Sequence, residues 1–302
     1  MPVALTPPIS RRKFFIQFSV LTGSLSVPHL FFANRSQATK TTHWAFMADT
    51  HIPEIDDSTT PPKRLQYYNP HQNLKRAVEQ ILKVKPDCVA ILGDLARLEG
   101  KTGDYLKLKK ILSPLMERIP VFLALGNHDN RRNFTTIFNT NLKERQPVSG
   151  KFVLVVESPP IRIILLDSLL FTNKVPGLLG KKQRTWLKDF LSSAPPTTTF
   201  LGVHHTLEDG DGDLLDVDRL FRIIEPFRHV KAIFYGHSHE LHFDEYRGIH
   251  LINIPGMGYS FNPEEPVGWM QAELSASGGN FQFHAIAGSV TAEMKRKSLS
   301  WR

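Results

Sequence analysis

Five short motifs hold most of the residues able to do metal chemistry, and they occur in a fixed order. They are Asp49-Thr50-His51, Gly93-Asp94, Gly126-Asn127-His128-Asp129, Val203-His204-His205 and Gly236-His237-Ser238-His239. Carboxylate oxygen combined with imidazole nitrogen suits Zn, Mn or Fe better than Ca or Mg. Asn127 adds a neutral carbonyl oxygen, and a carboxylate such as Asp94 can bridge two cations. Against two divalent ions, Asp49 and Asp94 return only two negative charges, so the centre stays cationic and suits an anionic phosphate. Two ions about 3.5–4 Å apart clamp the attacking and leaving oxygens of an in-line displacement. They also lower the pKa of a bridging water, making hydroxide available near neutral pH.

Each motif follows an apolar run: 45–48, 89–92, 121–125, 200–202 and 232–235. Apolar runs bounded by turn residues read as buried strands. In open α/β sheets, ligands bind beyond the carboxyl ends of the strands. If the chain stays extended there, Asp49 and His51 point the same way, as do His237 and His239. Between the strands lie helical patterns. Asn69-Pro70 reads as an N-cap and first helical residue, followed by an apolar face of Leu74, Ala77, Val78, Ile81 and Leu82. A second helix is predicted from Asp104 to Glu117, and others around Gln183–Leu191 and Leu220–Ile224. The β-α-β-α-β rhythm implies parallel strands with helical crossovers. Further strands are predicted at 152–156 and 161–166, and within 249–286. The simplest architecture is α/β, with two mixed sheets packed together and helices outside.

The ordered set Asp49-x-His51, Gly93-Asp94, Gly126-Asn127-His128-Asp129, His204 and Gly236-His237-x-His239 resembles the calcineurin-like metallophosphoesterases. The match spans about residues 43–240. Leu166-Asp167-Ser168 and Gln183-x-x-Trp186-Leu187 look like the cyclic-nucleotide and glycerophosphodiester branch. The resemblance implies a four-layer α/β/β/α fold and a metal-dependent phosphoric ester hydrolase holding two transition-metal ions (Fe, Mn or Zn). A phosphodiesterase for a small-molecule phosphate ester is the leading expectation, with a broad phosphomonoesterase as the alternative. By the same resemblance Asp49, His51 and His239 hold the first metal, Asn127, His204 and His237 the second, and Asp94 bridges them. His128 stands beside the leaving group as general acid or as donor to a phosphate oxygen, with Asp129 orienting its ring. A non-catalytic binding protein on this fold would be expected to have lost ligands, whereas every ligand position is filled here. Two departures stand out. Thr206 follows the His204-His205 pair where many relatives have Pro, so the assignment of His204 over His205 stays open. Arg97 occupies the position of an iron-binding tyrosine in purple acid phosphatases, which argues against a tyrosinate centre. Arg97 is expected either to contact phosphate or to form a surface ion pair.

Ser10-Arg11-Arg12-Lys13-Phe14-Phe15 precedes an apolar stretch reaching about Ala33, and Ser36-Gln37-Ala38 offers small residues for cleavage. This resembles a twin-arginine export signal. It leaves residues 39–302 as one domain, periplasmic or secreted, with the twin-arginine machinery as a partner. Gln17, Ser19, Thr22, Gly23 and Pro28 make the stretch weakly apolar for a membrane anchor, so a cleaved signal with no stable span in the mature chain is expected, with an uncleaved anchor helix as the alternative. The formal charge is +8, but without the four basic residues of the first 38 the balance is 33 basic against 29 acidic, or +4. That does not suggest nucleic-acid binding. Cys88 is the sole cysteine, which forbids an intramolecular disulfide, and reads as a small buried apolar residue. Lys295, Arg296, Lys297 and Arg302 read as a solvated basic tail. His29, His71, His229, His242, His250 and His284 read as structural or surface residues. Residues 208–213 lack the EF-hand pattern, since Leu214 follows Asp213, and read as an acidic loop near the site. Loops 52–70 and 205–216 are expected to set specificity.

Overall fold

The computed structural model describes residues 40–138, 147–288 and 296–302. The expected signal segment, His29 and Lys295 lie outside the described residues. Two six-stranded mixed sheets form the centre. The first contains β1 (Thr41–Met47), β2 (Cys88–Leu92), β3 (Val121–Ala124), β10 (Val267–Ser275), β11 (Gly278–Ala287) and β12 (Arg296–Ser300), in the order β12-β11-β10-β1-β2-β3. The second contains β4 (Leu154–Ser158), β5 (Ile161–Leu165), β6 (Thr198–Gly202), β7 (Val230–Tyr235), β8 (His242–Tyr246) and β9 (Ile249–Asn253), in the order β4-β5-β6-β7-β9-β8. Strands β1, β2 and β3 are parallel, as are β5, β6, β7 and β9.

Strand periodicity explains how the layers assemble. Successive side chains point to opposite faces, so a strand covered on both sides reads as continuously apolar. In β6 and β7, Phe200, Ala232 and Phe234 face the core between the sheets. Their neighbours Leu201, Ile233 and Tyr235 face a second core. That core is completed by α4 (Gly180–Ser193) and α5 (Val217–Ile224), through Leu187, Leu191, Leu220, Phe221 and Ile224. Between the sheets Phe46 stacks on Phe234 with ring centroids 4.2 Å apart. The outer face of the first sheet is covered by α1 (Pro70–Val84) and α2 (Thr102–Met116). The Asn69 side chain caps α1 by accepting from the Gln72 amide at 3.3 Å, and Leu74, Ala77, Val78 and Ile81 are buried. A short helix, α3 (Arg131–Ile137), follows the third motif.

The carboxyl-terminal stretch differs from expectation. Residues 296–300 are not a solvated tail; they form edge strand β12 paired with β11. The following residues dock: Trp301 packs edge-on against Phe200, and the Arg302 guanidinium donates to the carbonyls of Phe227, Val230 and Arg247. An open strand edge offers unpaired backbone groups, and β11 satisfies its own this way. Cys88 is half-buried at the start of β2, where burial pushes its thiol up to about 12. Among the described residues no helix is long and apolar enough to cross a membrane.

Candidate metal centre

All five motifs leave their strands at one edge of the sandwich, where the sheets meet. β1 ends at Met47 and β7 at Tyr235, so the ligand-bearing residues lie beyond the ladder. The expectation of an extended chain at Asp49-x-His51 and His237-x-His239 is not met. Asp49, His51, Asp94, His237 and His239 all have positive φ, between 44° and 74°. The left-handed region costs a non-glycine residue about 1–2 kcal/mol. Five such residues at one place indicate that tight turns, not strand alternation, aim these side chains. Glycines make room for them: a Cβ on Gly93 would lie 2.7 Å from both the Gly126 amide and the His204 Nδ1.

Eight of the nine candidate residues, all but Asp129, bring their side-chain donor atoms together, in two close groups. In the first, Asp49 Oδ1 lies 3.4 Å from His239 Nε2 and 3.8 Å from His51 Nε2. The two imidazole Nε2 atoms are 3.2 Å apart, and Asp94 Oδ2 is 3.6 Å from that of His51. In the second, His204 Nε2 lies 3.1 Å from Asn127 Oδ1, 3.2 Å from His237 Nδ1 and 3.4 Å from Asp94 Oδ1. Asp94 therefore presents one oxygen to each group. His128 Nε2 stands 3.9 Å from Asp94 Oδ2, on a ring that remains partly exposed.

Backbone carbonyls fix which nitrogen of each ring is free. His51 Nδ1 donates to Arg97 O at 3.3 Å, His204 Nδ1 to Leu92 O at 2.8 Å, and His239 Nδ1 to Tyr259 O at 2.8 Å. His237 is reversed, its Nε2 donating to Gly212 O at 3.1 Å. A carbonyl only accepts, so the opposite nitrogen of a neutral ring is a lone pair. The inward-facing atoms are thus almost all acceptors crowded against one another. Asp49 Oδ1 is buried with no hydrogen-bond partner. Such a set is costly without positive charge and well suited to borderline transition-metal cations. Without metal, a proton on His204 supplies part of the missing positive charge. Burial opposes ionisation of Asp94, yet His204 and His51 hold its carboxyl well below the usual range. Burial likewise opposes Asp49, which His239 and His204 nevertheless lower. Burial opposes charge on His204, but Asp94 and Asp49 carry its pKa up to about 9. Burial lowers His51 to about 3 and His237 to about 4.

His204 and His205 separate cleanly. His205 Nδ1 is 2.7 Å from Ser168 Oγ and its Nε2 donates to Val175 O at 3.0 Å, so both nitrogens are spent on a neighbouring loop. Asp129 does not touch the His128 ring, contrary to expectation. Its carboxylate accepts from the amides of Gly126, Leu95 and Ala96 and from the Tyr105 hydroxyl at 2.9 Å. It ties the turn after β3 to the turn after β2, while the His128 ring is oriented by Nδ1 donating to Leu98 O at 2.9 Å. Arg97 pairs with Asp57 at 3.4 Å and lies over the Tyr68 ring. Tyr259 is a site residue that the sequence did not disclose. Its hydroxyl is 3.3 Å from His51 Nε2, and its ring packs on those of His51 and His239. It follows a Pro-Gly turn with no motif around it. The acidic loop borders the centre through Gly212 O, and Thr206 donates to Asp213 within it.

Comparison with known proteins agrees with this geometry. Residues 43–241 match the family model described as calcineurin-like phosphoesterase. A probable cyclic nucleotide phosphodiesterase of Vesicomyosocius okutanii is 27% identical over 216 residues, covering 70% of this chain and 87% of that protein. A 3',5'-cyclic adenosine monophosphate phosphodiesterase of Haemophilus influenzae is 27% identical, covering 70% and 74%. A probable glycerophosphodiester phosphodiesterase of Arcobacter nitrofigilis is 30% identical, covering 63% and 72%. Among solved structures, a dimetal phosphatase from Danio rerio superposes with a TM-score of 0.64 at 14% identity, covering 86% of this chain and 99% of that one, which supports the fold. The chain belongs to the calcineurin-like phosphoesterase family and is a metal-dependent phosphoester hydrolase.

Proposed function

We propose that this chain is an exported phosphodiesterase with a dinuclear centre. Asp49, His51 and His239 would hold one cation, Asn127, His204 and His237 the other, with Asp94 between them. The observation that carries the reading is Asp94, with Oδ1 3.4 Å from His204 Nε2 and Oδ2 3.6 Å from His51 Nε2. When bound, such cations supply Lewis acidity, lower the pKa of water and offset phosphate charge. The chain's own residues do the rest. Carbonyls of Arg97, Leu92, Tyr259 and Gly212 aim the opposite ring nitrogens inward for loading, which would release the proton that His204 carries without metal. His128 sits on the open side with Nδ1 committed to Leu98 O. Its Nε2, when protonated, can donate to a phosphate oxygen or give its proton to a departing alkoxide. Diesters are favoured over monoesters because the relatives above are named as phosphodiesterases of cyclic nucleotides and glycerophosphodiesters.

The test is metal content together with hydrolysis of bis(p-nitrophenyl) phosphate and p-nitrophenyl phosphate. Two metals per chain with turnover of the diester is the expected result. Turnover of the monoester alone would select a phosphate-scavenging phosphomonoesterase. Full metal occupancy with neither activity would leave a binding protein. Export rests on Arg11-Arg12 before the apolar stretch. A reporter fused after residue 38 should leave the cytoplasm, and the double substitution R11K/R12K should retain it there.

A further inference from the structure

Exposed apolar side chains are concentrated at the metal-bearing edge. Ile55, Leu98, Phe171, Val175, Leu215 and Phe261 are between 43% and 79% exposed, and each lies on a loop leaving the carboxyl end of a strand. The loops come from both sheets, following β1, β2, β5, β6 and β9. Single exposed hydrophobics are ordinary, but a cluster rimming one site marks a binding surface. By contrast Val84 and Tyr246 lie at the opposite edge, where β2 and β9 begin. The rim is held in place by hydrogen bonds to the centre and to the turns beside it. His128 donates to the carbonyl of Leu98 and His205 to that of Val175, while Thr172 beside Phe171 donates to Asp129 O at 2.8 Å. Leu215 N donates to Gly177 O at 2.9 Å. The Phe261 ring lies 4.6 Å from that of His239, so the collar touches a candidate ligand directly.

We propose that this collar binds a large apolar substituent of the substrate, making the preferred substrates phosphodiesters that carry an alkyl, acyl or aryl group. The inference rests on the phosphodiesterase reading and names the substrate class of the same site. Glu54, Glu99, Glu208, Asp209 and Glu264 share these loops. Acidic side chains outnumber Lys63, Arg64, Arg97, Lys101 and Lys174 on the same loops, which disfavours an anionic lipid surface, and the contact of Phe261 with His239 sets the collar against the place where a bound diester's substituent would lie.

The experiment uses metal-loaded protein and alkyl p-nitrophenyl phosphates from methyl to hexyl, which share a leaving group and a charge. The expected result is a rise in kcat/KM of about tenfold or more from methyl to hexyl. Substituting Phe261→Ser or Phe171→Ser should bring the hexyl-to-methyl ratio towards one, whereas Val84→Ser should leave it high. A wild-type ratio near one would overturn the collar while leaving the phosphodiesterase reading intact. Binding of methylphosphonate and hexylphosphonate, followed by calorimetry, reads the collar without turnover. Tighter binding of the hexyl compound, lost in Phe261→Ser, supports it; equal affinities overturn it. If the whole diester series is inert while p-nitrophenyl phosphate is cleaved, the phosphodiesterase reading fails, and the calorimetric result still decides the collar.

Discussion

At the carboxyl-end edge of the sandwich, β1, β2 and β7 run into Asp49, His51, Asp94, His237 and His239, all with positive φ. At the amino-end edge the same backbone region is occupied by Lys85, just after α1, and by Arg247-Gly248 between β8 and β9. Lys85 serves a helix end, its amide donating to Ile81 O at 2.8 Å, and Arg247 serves a hairpin. Glycine would fill both roles with less strain. At the ligand-bearing edge glycine would fit the backbone equally well and remove the donor atom. The same unfavourable dihedral is therefore incidental at one edge and required at the other.

The comparison breaks most visibly at Asp94, the one side chain shared by both donor groups. Asp94→Asn keeps shape and hydrogen-bonding size but removes a buried negative charge that His204 and His51 stabilise. The expected outcome is loss of one or both metals by elemental analysis and a fall in kcat of roughly 10³-fold. Unchanged metal content would show that the two donor groups do not depend on a shared carboxylate. A smaller effect separates His204 from His205. His204→Ala should lower kcat by roughly 10²-fold with loss of metal. His205→Ala should retain metal and cost about tenfold, since its nitrogens hold Ser168 and Val175 rather than the centre.

Much of this was legible because strand and ligand signals coincide. The apolar runs before Asp49, Asp94, Asn127, His204 and His237 became β1, β2, β3, β6 and β7, and Asn69-Pro70 opened α1 as expected. What escaped reading had physical causes. β8 and β12 are edge strands with mostly exposed side chains, so they carry no apolar run. Left-handed dihedrals leave no trace in a sequence when Asp and His adopt them in place of Gly, which is why extended geometry was expected at the motif residues. Asp129 sits next to His128 in sequence, but the turn after β3 sends its carboxylate inward to three amides and a tyrosine hydroxyl. Burial and Asp94 push its carboxyl up to about 7. Tyr259 reaches the centre from a turn distant in sequence, which the pairing of β9 with β7 and the bonds of Met257 N to Ala48 O and Gly258 N to Asp49 O bring beside the first motif.

His128 sharpens the contrast between holding charge and handling substrate. Its ring is aimed by Leu98 O but stays open to solvent, unlike the buried rings of His51, His204 and His239. His128→Ala should therefore spare metal content. It should slow diesters with alkyl leaving groups by roughly 10²-fold while affecting p-nitrophenolate esters far less, because only a poor leaving group needs the proton. Equal rates on alkyl esters would remove the acid role.

The smallest effect lies at the amino-end edge. Lys85 has φ 56° and ψ 57°, and its backbone rather than its side chain makes the capping bond to Ile81 O. Replacing Lys85 by Gly removes a steric cost of about 1–2 kcal/mol and returns about 0.4–1 kcal/mol through the greater freedom of the unfolded chain. The net expectation is a gain of about 0.5 kcal/mol in urea unfolding, with metal content and kcat unchanged. His239→Gly adopts the same dihedral (φ 61° in the native chain) and relieves the same strain, yet it discards the Nε2 that faces Asp49 Oδ1 at 3.4 Å. Without metal it should unfold more easily than the parent, because the buried ring that packs on Tyr259 and Phe261 and donates to Tyr259 O is gone, and it should also lose the stabilisation that added metal gives the parent. If both glycine variants respond to metal alike, the strain at the ligand-bearing edge is as incidental as that at Lys85.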